Sequence, residues 1–186
     1  MEQKDLVEVV EKINPIYQGN ILTFHVDTVR LPSGTLATRE YVRHNGAVAV
    51  VAVTDDGSIL MEEQYRYPCG GVFLEVPAGK LDSPGEDPLL AAKRELREET
   101  GATADRWQYL GDYLPSPAIS TEVIRLYLAT GLSFGKTEWD ADERLIIVKM
   151  PPEALYEKIL SGEITDGKTM AALMKYKLLK EQENPQ

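Results

Sequence analysis

The stretch RELREETG, residues 94–101, decides the fold of this chain, because it reads as the end of a helix that carries three carboxylates. Glu95, Glu98 and Glu99 stand three and four residues apart, so they project from one side of that helix. Gly101 suits the left-handed residue that closes a helix. The last helical turn carries partial negative charge and favours Lys or Arg. Either this is an ordinary exposed Glu-rich helix, or bound cations offset the repulsion.

The start of the same helix is signalled just as strongly. Asp87 suits the N-cap and Pro88 the first helical position. Leu89, Ala92 and Leu96 then recur at helical spacing. The pattern predicts a helix from residue 88 to residue 100 with one buried apolar face.

A loop rich in glycine and proline precedes the helix. The loop, EVPAGKLDSPGE at residues 75–86, brings a further carboxylate, Glu86, next to the helix. Clustered carboxylate oxygens are the hard ligands that Mg²⁺ and Mn²⁺ prefer. Departures from local folding rules are expected at functional sites, so the combination favours a divalent-cation site over an ordinary exposed helix.

Residues 79–102, GKLDSPGEDPLLAAKRELREETGA, resemble the signature of the Nudix hydrolases, G-x5-E-x7-R-E-U-x-E-E-x-G-U with U an aliphatic residue. The signature positions are filled by Gly79, Glu86, Arg94, Glu95, Leu96, Glu98, Glu99, Gly101 and Ala102. One position departs from the pattern, since six residues rather than five separate Gly79 from Glu86. The extra residue falls in DSPG, a loop that can bulge, and the spacing from Glu86 to Gly101 is intact.

The resemblance implies hydrolysis of a phosphoanhydride with the help of Mg²⁺ or Mn²⁺. It implies that Glu95 and Glu99 are the principal metal ligands, that Glu98 binds the metal or supports its ligands in catalysis, and that the carbonyl of Ala78 adds an oxygen. Arg94 is expected to orient a glutamate rather than to contact the substrate. Such a metal neutralises a pyrophosphate and makes water a usable nucleophile near neutral pH.

Three further segments resemble the ADP-ribose pyrophosphatase branch of that family. Residues 46–68 hold Arg66, a candidate to grip phosphate or ribose, and residues 160–174, LSGEITDGKTMAALM, resemble the lead-in to its C-terminal helix. Residues 113–122, YLPSPAISTE, place Pro117 at a position associated with ADP-ribose specificity. The candidate substrate-binding residues are Arg39, Arg66, Pro117 and Glu122. Arg39 can fork onto phosphate oxygens or can be an ordinary exposed strand charge.

The acidic loop TEWDADE, residues 137–143, is a candidate for the catalytic carboxylate. Related enzymes carry such a residue in the corresponding loop. Glu143 is the first choice here, with Asp142 or Asp140 as alternatives. A solvated acidic loop without a catalytic role is the competing interpretation, although a mobile loop that carries the base fits closure over a substrate.

The rest of the chain predicts an α/β (α+β) fold, a Nudix-type α/β/α sandwich with a mixed sheet and an N-terminal antiparallel β arm. The arm, residues 1–44, is expected to contain a hairpin of strands at 20–31 and 36–44, with His25 and His44 on strand surfaces. Residues 45–186 are expected to form the hydrolase domain, with strands at 107–114 and 122–130 and two closing helices. Tyr17, Phe24 and Tyr41 of the arm are possible adenine-stacking residues or ordinary packing residues.

Composition limits the class of partner. The 186 residues carry a formal net charge of -10, which argues against binding of nucleic acid or of an anionic membrane. The single cysteine, Cys69, excludes an internal disulfide, and the longest apolar run, AVAVVAV at 47–53, is too short to cross a bilayer. A cytoplasmic protein is therefore expected.

The function expected from these features is metal-dependent hydrolysis of ADP-ribose to AMP and ribose 5-phosphate. Hydrolysis of another nucleoside diphosphate sugar, such as GDP-mannose, is an alternative, as is a non-catalytic sensor of an ADP-ribose-like ligand. In the ADP-ribose branch the N-terminal strands commonly exchange with a partner, so the resemblance also implies a homodimer.

Overall fold

The computed structural model describes residues 2–138 and 144–183 and divides the chain into two units. The first unit, the arm, comprises Met1–Asn45 and Leu114–Glu122. The second unit, the core unit, comprises Gly46–Tyr113 and Val123–Gln186. Each unit has a β-sheet of its own.

Four antiparallel strands form the sheet of the arm. They are β1 (Val9–Lys12), β2 (Pro15–Gln18), β3 (Thr23–Arg30) and β4 (Leu36–Arg43). β3 is central, because it pairs with β4 along its whole length and with β1 and β2 along its two ends. The predicted hairpin is therefore present, whereas β1 and β2 were not predicted. Those two segments are only four residues long, and their pairing depends on β3.

The arm also includes a segment distant in sequence. The Val42 N–H donates to the carbonyl of Ile119 at 2.9 Å, and the Thr121 N–H donates to the carbonyl of Val42 at 3.0 Å. These bonds give a short parallel pairing of Val42 with Ser120. Residues 114–122, with Pro117, thus belong to the same unit as Arg39.

The prediction that His25 lies on a strand surface was wrong. His25 is only 3% exposed, and it shares the buried face of β3 with Asp27 and Val29. Its ring stacks on Tyr41 with centroids 5.0 Å apart. The alternation along β3 was recognised correctly, but hydrophobicity alone did not identify the inward face because the network there is polar.

The described part of the core unit contains seven strands and three helices. They are β5 (Ala47–Val53), β6 (Ile59–Arg66), β7 (Gly71–Glu75), β8 (Ala78–Lys80), α1 (Pro88–Thr100), β9 (Ala102–Tyr113), β10 (Ile124–Phe134), β11 (Leu145–Met150), α2 (Pro152–Ser161) and α3 (Gly167–Glu183). The sheet order is β11-β6-β5-β10-β9, with β7 on β6 and β8 on β5. Among the described strands of this sheet only the β5–β10 pairing is parallel, so the sheet is mixed, as predicted.

The central strand β5 explains the layered packing. All seven of its residues are buried, which requires cover on both faces. Ala49 and Val51 pack in the cluster that includes residues of α2 and α3. Val48 and Val50 pack in the other cluster, which includes Leu96 of α1. The predicted α/β/α sandwich is confirmed.

Several element boundaries differ from the predictions. β9 begins at Ala102 rather than at residue 107, and β10 runs from Ile124 to Phe134 rather than over 122–130. Residues 78–80, predicted as loop, form β8, because they pair with β5 rather than through a strand pattern of their own. Among the described residues, no helix has the length and hydrophobicity required to cross a membrane.

Candidate metal and catalytic site

One aspartate and one glycine define the ends of α1 and therefore the direction of its carboxylates. The Asp87 side chain accepts the Leu89 N–H at 2.8 Å as an N-cap, and the helix ends at Gly101 with φ of 69°. A side chain at Gly101 would also press on the carbonyl of Gly135, 2.7 Å from the position of a Cβ. These predicted boundaries are confirmed. With this register Glu95 and Glu99 are buried, at 9% and 3% exposure.

Glu99 contacts β8, the short strand that precedes α1. The Ala78 N–H donates to its Oε2 at 3.0 Å, while β8 holds Ala78 opposite Ala49 of β5. The backbone of Ala78 therefore lies beside the last turn of α1, where the resemblance implied a backbone oxygen ligand. That role of the Ala78 carbonyl stays a prediction.

Gly79 leaves the space that Glu95 occupies. A Cβ at this position would overlap the carboxylate carbon and both carboxylate oxygens of Glu95. The backbone of Gly79 does not have a positive φ, so its requirement for glycine is one of space rather than of conformation. The first glycine of the signature is thus explained by the close approach of a carboxylate.

Arg94 gathers the carboxylates around it. Its Nη1 donates to Glu95 at 2.8 Å and to Glu98 at 3.4 Å, and its Nη2 donates to Glu86 and to the carbonyl of Lys80, both at 3.3 Å. Burial opposes the charged form, but the charge and hydrogen bond of Glu95 outweigh it and raise the pKa of Arg94 above its ordinary value. Of the two carboxylates that Nη1 contacts, Glu95 is the nearer.

Glu86 remains beside Arg94 despite the extra residue in the loop. Its Oε2 accepts the Asp82 N–H at 2.6 Å, which closes the DSPG turn locally. Its Oε1 lies 3.3 Å from Arg94 Nη2. The sixth residue is therefore accommodated within the turn, and Glu86 contacts an arginine in this structure.

Glu98 lies at the outer edge of the cluster. Its side chain is 27% exposed and pairs with Arg97 at 3.0 Å. Its carbonyl accepts the Glu138 N–H at 2.9 Å, so the first part of the acidic loop is attached to the last turn of α1. Glu143, Asp142 and Asp140 lie outside the described residues.

The donor atoms fit a divalent cation in their chemistry. Two buried carboxylates, Glu95 and Glu99, and the adjacent backbone at Ala78 offer only hard oxygen ligands, and the absence of a side chain at Gly79 leaves room for the Glu95 carboxylate. Within residues 2–138 and 144–183, no three His, Cys, Asp or Glu side chains converge as a complete metal cluster. Such a cluster consists of side chains alone, so it does not include a backbone oxygen ligand at Ala78. In this structure Glu95 is held by Arg94 and Glu99 by the Ala78 N–H.

Arg66, predicted to grip phosphate or ribose, forms a fork with a buried carboxylate. Its Nε and Nη2 donate to the two oxygens of Glu75 at 2.9 and 2.7 Å. Lys168 also pairs with Glu75, which is 1% exposed. The hydrogen bonds to Glu75 raise the pKa of Arg66. Neither Glu75 nor Lys168 was singled out from the sequence as a site residue, although Lys168 lies within the segment 160–174 that resembles the lead-in to the C-terminal helix.

The arm contains a cavity of about 360 Å³, lined in part by Arg39, Tyr41, Asp27, Glu8 and Pro117. The structure therefore brings two predicted substrate-binding residues, Arg39 and Pro117, to one cavity. The Arg39 guanidinium forks onto Glu8, with Nε 2.9 Å from Oε2. Glu8 was missed, since a lone acid in the first residues carries no recognisable signal.

The polar face of β3 supports this cavity. The Tyr41 hydroxyl donates to Asp27 Oδ2 at 2.8 Å, and the Asn14 N–H donates to Asp27 Oδ1 at 2.8 Å. The Asn14 hydrogen bond is the main reason that the pKa of Asp27 is lowered, so Asp27 is a carboxylate at neutral pH. Glu122, the remaining candidate, does not line the cavity; its Oε1 lies 3.7 Å from His44 Nδ1.

Comparison with known proteins places these features in a family context. The family model described as the NUDIX domain matches residues 43–173. The methanol dehydrogenase activator of Bacillus methanolicus is 40% identical over 87% of this chain and 88% of its own. The ADP-ribose pyrophosphatases of Bacillus subtilis (strain 168) and Mycobacterium tuberculosis (strain ATCC 25618 / H37Rv) are 39% and 43% identical over 96% and 86% of this chain, and over 96% and 78% of theirs.

A solved structure shares the fold. The crystal structure of an ADP compounds hydrolase aligns with a TM-score of 0.84 over 96% of this chain and 97% of its own chain. The two sequences are 22% identical. At that identity the likeness concerns the fold alone.

Proposed function

Because the chain belongs to the NUDIX family and is a Nudix hydrolase, we propose that it hydrolyses the pyrophosphate bond of ADP-ribose to give AMP and ribose 5-phosphate. The observation that carries this proposal is the pair of buried carboxylates, Glu95 and Glu99, gathered at Ala78 and Gly79. Two buried carboxylates four residues apart repel each other, and a bound cation would offset that repulsion. The choice of ADP-ribose is supported by the two pyrophosphatase relatives.

Glu95 and Glu99 are the residues that would hold Mg²⁺ or Mn²⁺, with the Ala78 carbonyl and Glu98 as further oxygen ligands. A divalent cation supplies positive charge to the pyrophosphate and lowers the pKa of the attacking water. Arg94 orients Glu95 through the 2.8 Å hydrogen bond and balances the negative charge of the helix edge. Its task is to keep the carboxylates in place rather than to bind substrate.

The arm cavity is proposed to receive part of the substrate. Its volume of about 360 Å³ falls in the range of roughly 300–1,000 Å³ that is usual for ligand pockets. Arg39 supplies a fork for phosphate oxygens, and Tyr41 an aromatic surface beside Pro117. Glu8 shares the Arg39 fork, so an incoming phosphate has to compete with a carboxylate that belongs to the chain.

A product assay tests the function. The purified protein is incubated with Mg²⁺ and, separately, with ADP-ribose, GDP-mannose, ADP-glucose, NADH and diadenosine polyphosphates. We expect AMP and ribose 5-phosphate from ADP-ribose at the highest kcat/KM. A higher kcat/KM for GDP-mannose would show that the substrate is a different nucleoside diphosphate sugar. Binding of ADP-ribose without formation of any product would show that the protein is a sensor rather than an enzyme.

The catalytic base is proposed to be Glu143. The start of its loop is held at α1 by the 2.9 Å bond from the Glu138 N–H to the Glu98 carbonyl, which supports a role near the helix carboxylates. We expect Glu143→Gln to lower kcat by roughly 10²–10⁴-fold, the usual contribution of a positioned base.

The control for this variant is metal binding. Mg²⁺ should stabilise Glu143→Gln against heat as much as it stabilises the wild type. Asp142→Asn and Asp140→Asn serve as matched neighbours. If Glu143→Gln had a normal kcat and either Asp142→Asn or Asp140→Asn had a lowered one, the residue changed in that variant would be the base.

We also propose that the protein is a homodimer assembled through the arm and that it acts in the cytoplasm, where its single cysteine stays reduced. Strands β1 and β2 are exposed along their whole length. Large apolar side chains nevertheless occupy this region, and Val9, Ile13, Ile16 and Tyr17 are 58–62% exposed. A concentration of exposed apolar side chains in one region is typical of an interface.

Ile16→Lys should weaken such a dimer. Burial of one isoleucine contributes roughly 1.5–3 kcal/mol, and a symmetric interface contains two copies, so we expect the dissociation constant to rise at least about tenfold. Light scattering during size-exclusion chromatography over a concentration series measures it. Leu160→Lys on α2, where the leucine is 88% exposed, is the matched control. A wild-type protein that stays monomeric at all concentrations would contradict the proposal.

A further inference from the structure

The start of α3 is tied to the strand that carries Glu75. Asp166 Oδ2 accepts the Thr169 N–H at 2.9 Å, which caps the first turn of the helix. Thr169 is fully buried, and its Oγ1 accepts the N–H of Val76, the residue after Glu75, at 3.0 Å. The DGKT segment at 166–169 is therefore held at a defined distance from the end of β7.

This attachment places a lysine on a buried carboxylate. Lys168 is 12% exposed at its side chain, pairs with Glu75 and lies 3.1 Å from Asp166. Glu75 is 1% exposed and also receives the two hydrogen bonds of Arg66. A carboxylate at that depth is stable only when cations and donors compensate for its lost hydration, and here two cations share the task.

The same fork determines which edge of Arg66 is available to a ligand. A guanidinium has five N–H donors, and the fork to Glu75 uses one on Nε and one on Nη2. The opposite edge contains Nη1, and the side chain is 38% exposed. Arg66 thus presents a preoriented edge with positive charge, the arrangement that phosphate recognition requires.

We propose that Lys168 is a positioning residue for substrate binding, which acts on the phosphate-binding edge of Arg66 through Glu75. Lys168 takes up part of the charge of Glu75 and holds its Oε2 from the side of α3. The carboxylate is thereby fixed in the plane in which it can fork with Arg66. Asp166 and Thr169 fix Lys168 in turn. The inference rests on the proposed function, in which Arg66 binds a phosphate or ribose group of ADP-ribose.

Replacing Lys168 by Met tests the proposal. Loss of the ammonium group lets Glu75 rotate and makes the surroundings of Arg66 more negative, so an anionic substrate binds less well. We expect KM for ADP-ribose to rise about tenfold while kcat stays within about twofold, the pattern of lost uniform binding. Lys168→Arg, which keeps the charge, should restore most of the affinity.

Three comparisons separate positioning from a general structural role. Lys180→Met, a change to an exposed lysine paired with Glu183 on the same helix, should leave KM unchanged. Thermal unfolding of each variant shows whether the protein is folded. In an Arg66→Lys background, in which the fork is lost but Glu75 keeps a cation, Lys168→Met should raise KM by less than about twofold, because contacting residues are non-additive.

The outcomes distinguish this inference from the proposed function. If the wild type does not hydrolyse ADP-ribose, the proposed function fails and this inference with it. If the wild type is active but Lys168→Met leaves KM unaltered, only the role of Lys168 is wrong. A fall in kcat that accompanies a lower melting temperature, without a change in KM, would also overturn it, as would full additivity with Arg66→Lys.

Discussion

Glu99→Gln should leave the protein folded and lower its turnover of ADP-ribose by at least about 10²-fold, the scale of losing one electrostatic contact to a transition state. The amide is nearly the same size as the carboxylate, and its oxygen can still accept the Ala78 N–H that bonds to Glu99 at 3.0 Å. What is lost is the negative charge, which a divalent cation requires from its ligand. Steady-state kinetics at saturating Mg²⁺ measure the loss.

A second readout is independent of activity. In the wild type, Mg²⁺ should raise the melting temperature, because a ligand that binds only the native state stabilises it. Glu99→Gln should reduce that rise, and without Mg²⁺ it should be no less stable than the wild type, since one of two neighbouring buried charges has been removed. Glu157→Gln, at an exposed position on α2, is the control. Near-normal turnover in Glu99→Gln would show that Glu99 is not a metal ligand.

Gly79→Ala should abolish most of the activity with little loss of stability. The added methyl group would overlap the carboxylate of Glu95, which is the far end of a flexible side chain and can move aside. Gly79 does not have a positive φ, so the strand pairing with Val48 can remain. Displacing Glu95 breaks its contact with Arg94, and a misplaced catalytic group costs about 10²-fold in rate.

The matched control for this variant, Gly85, lies in the loop between β8 and α1. Gly85 has open space around the position of a Cβ and does not have a positive φ, so Gly85→Ala should retain wild-type kcat and KM. Circular dichroism and thermal unfolding check that both variants fold. If Gly79→Ala were as active as Gly85→Ala, the carboxylate of Glu95 would not be needed where the structure has it.

Much of the core unit could be predicted from local sequence. The caps at Asp87 and Gly101 determine α1, since they satisfy helix ends with residues adjacent in sequence. The uninterrupted apolar run of β5 predicts a strand covered on both faces, and it is covered by helices on both. Segments without a local strand pattern, such as β2 and β8, were not predicted, because they are strands only through their hydrogen bonds to β3 and β5.

The sequence by itself determined the family, the chemistry and the helix that carries the carboxylates, because these depend on the types and spacing of residues within one short segment. Only the tertiary structure decided which atoms meet. It paired Glu75 with Arg66 and Lys168, oriented His25 inward, and closed Gly79 against Glu95. Such contacts depend on register and on strand order, which bring together residues up to 93 positions apart. Charge balance in a buried network is a property of that assembled neighbourhood, and no local pattern encodes it.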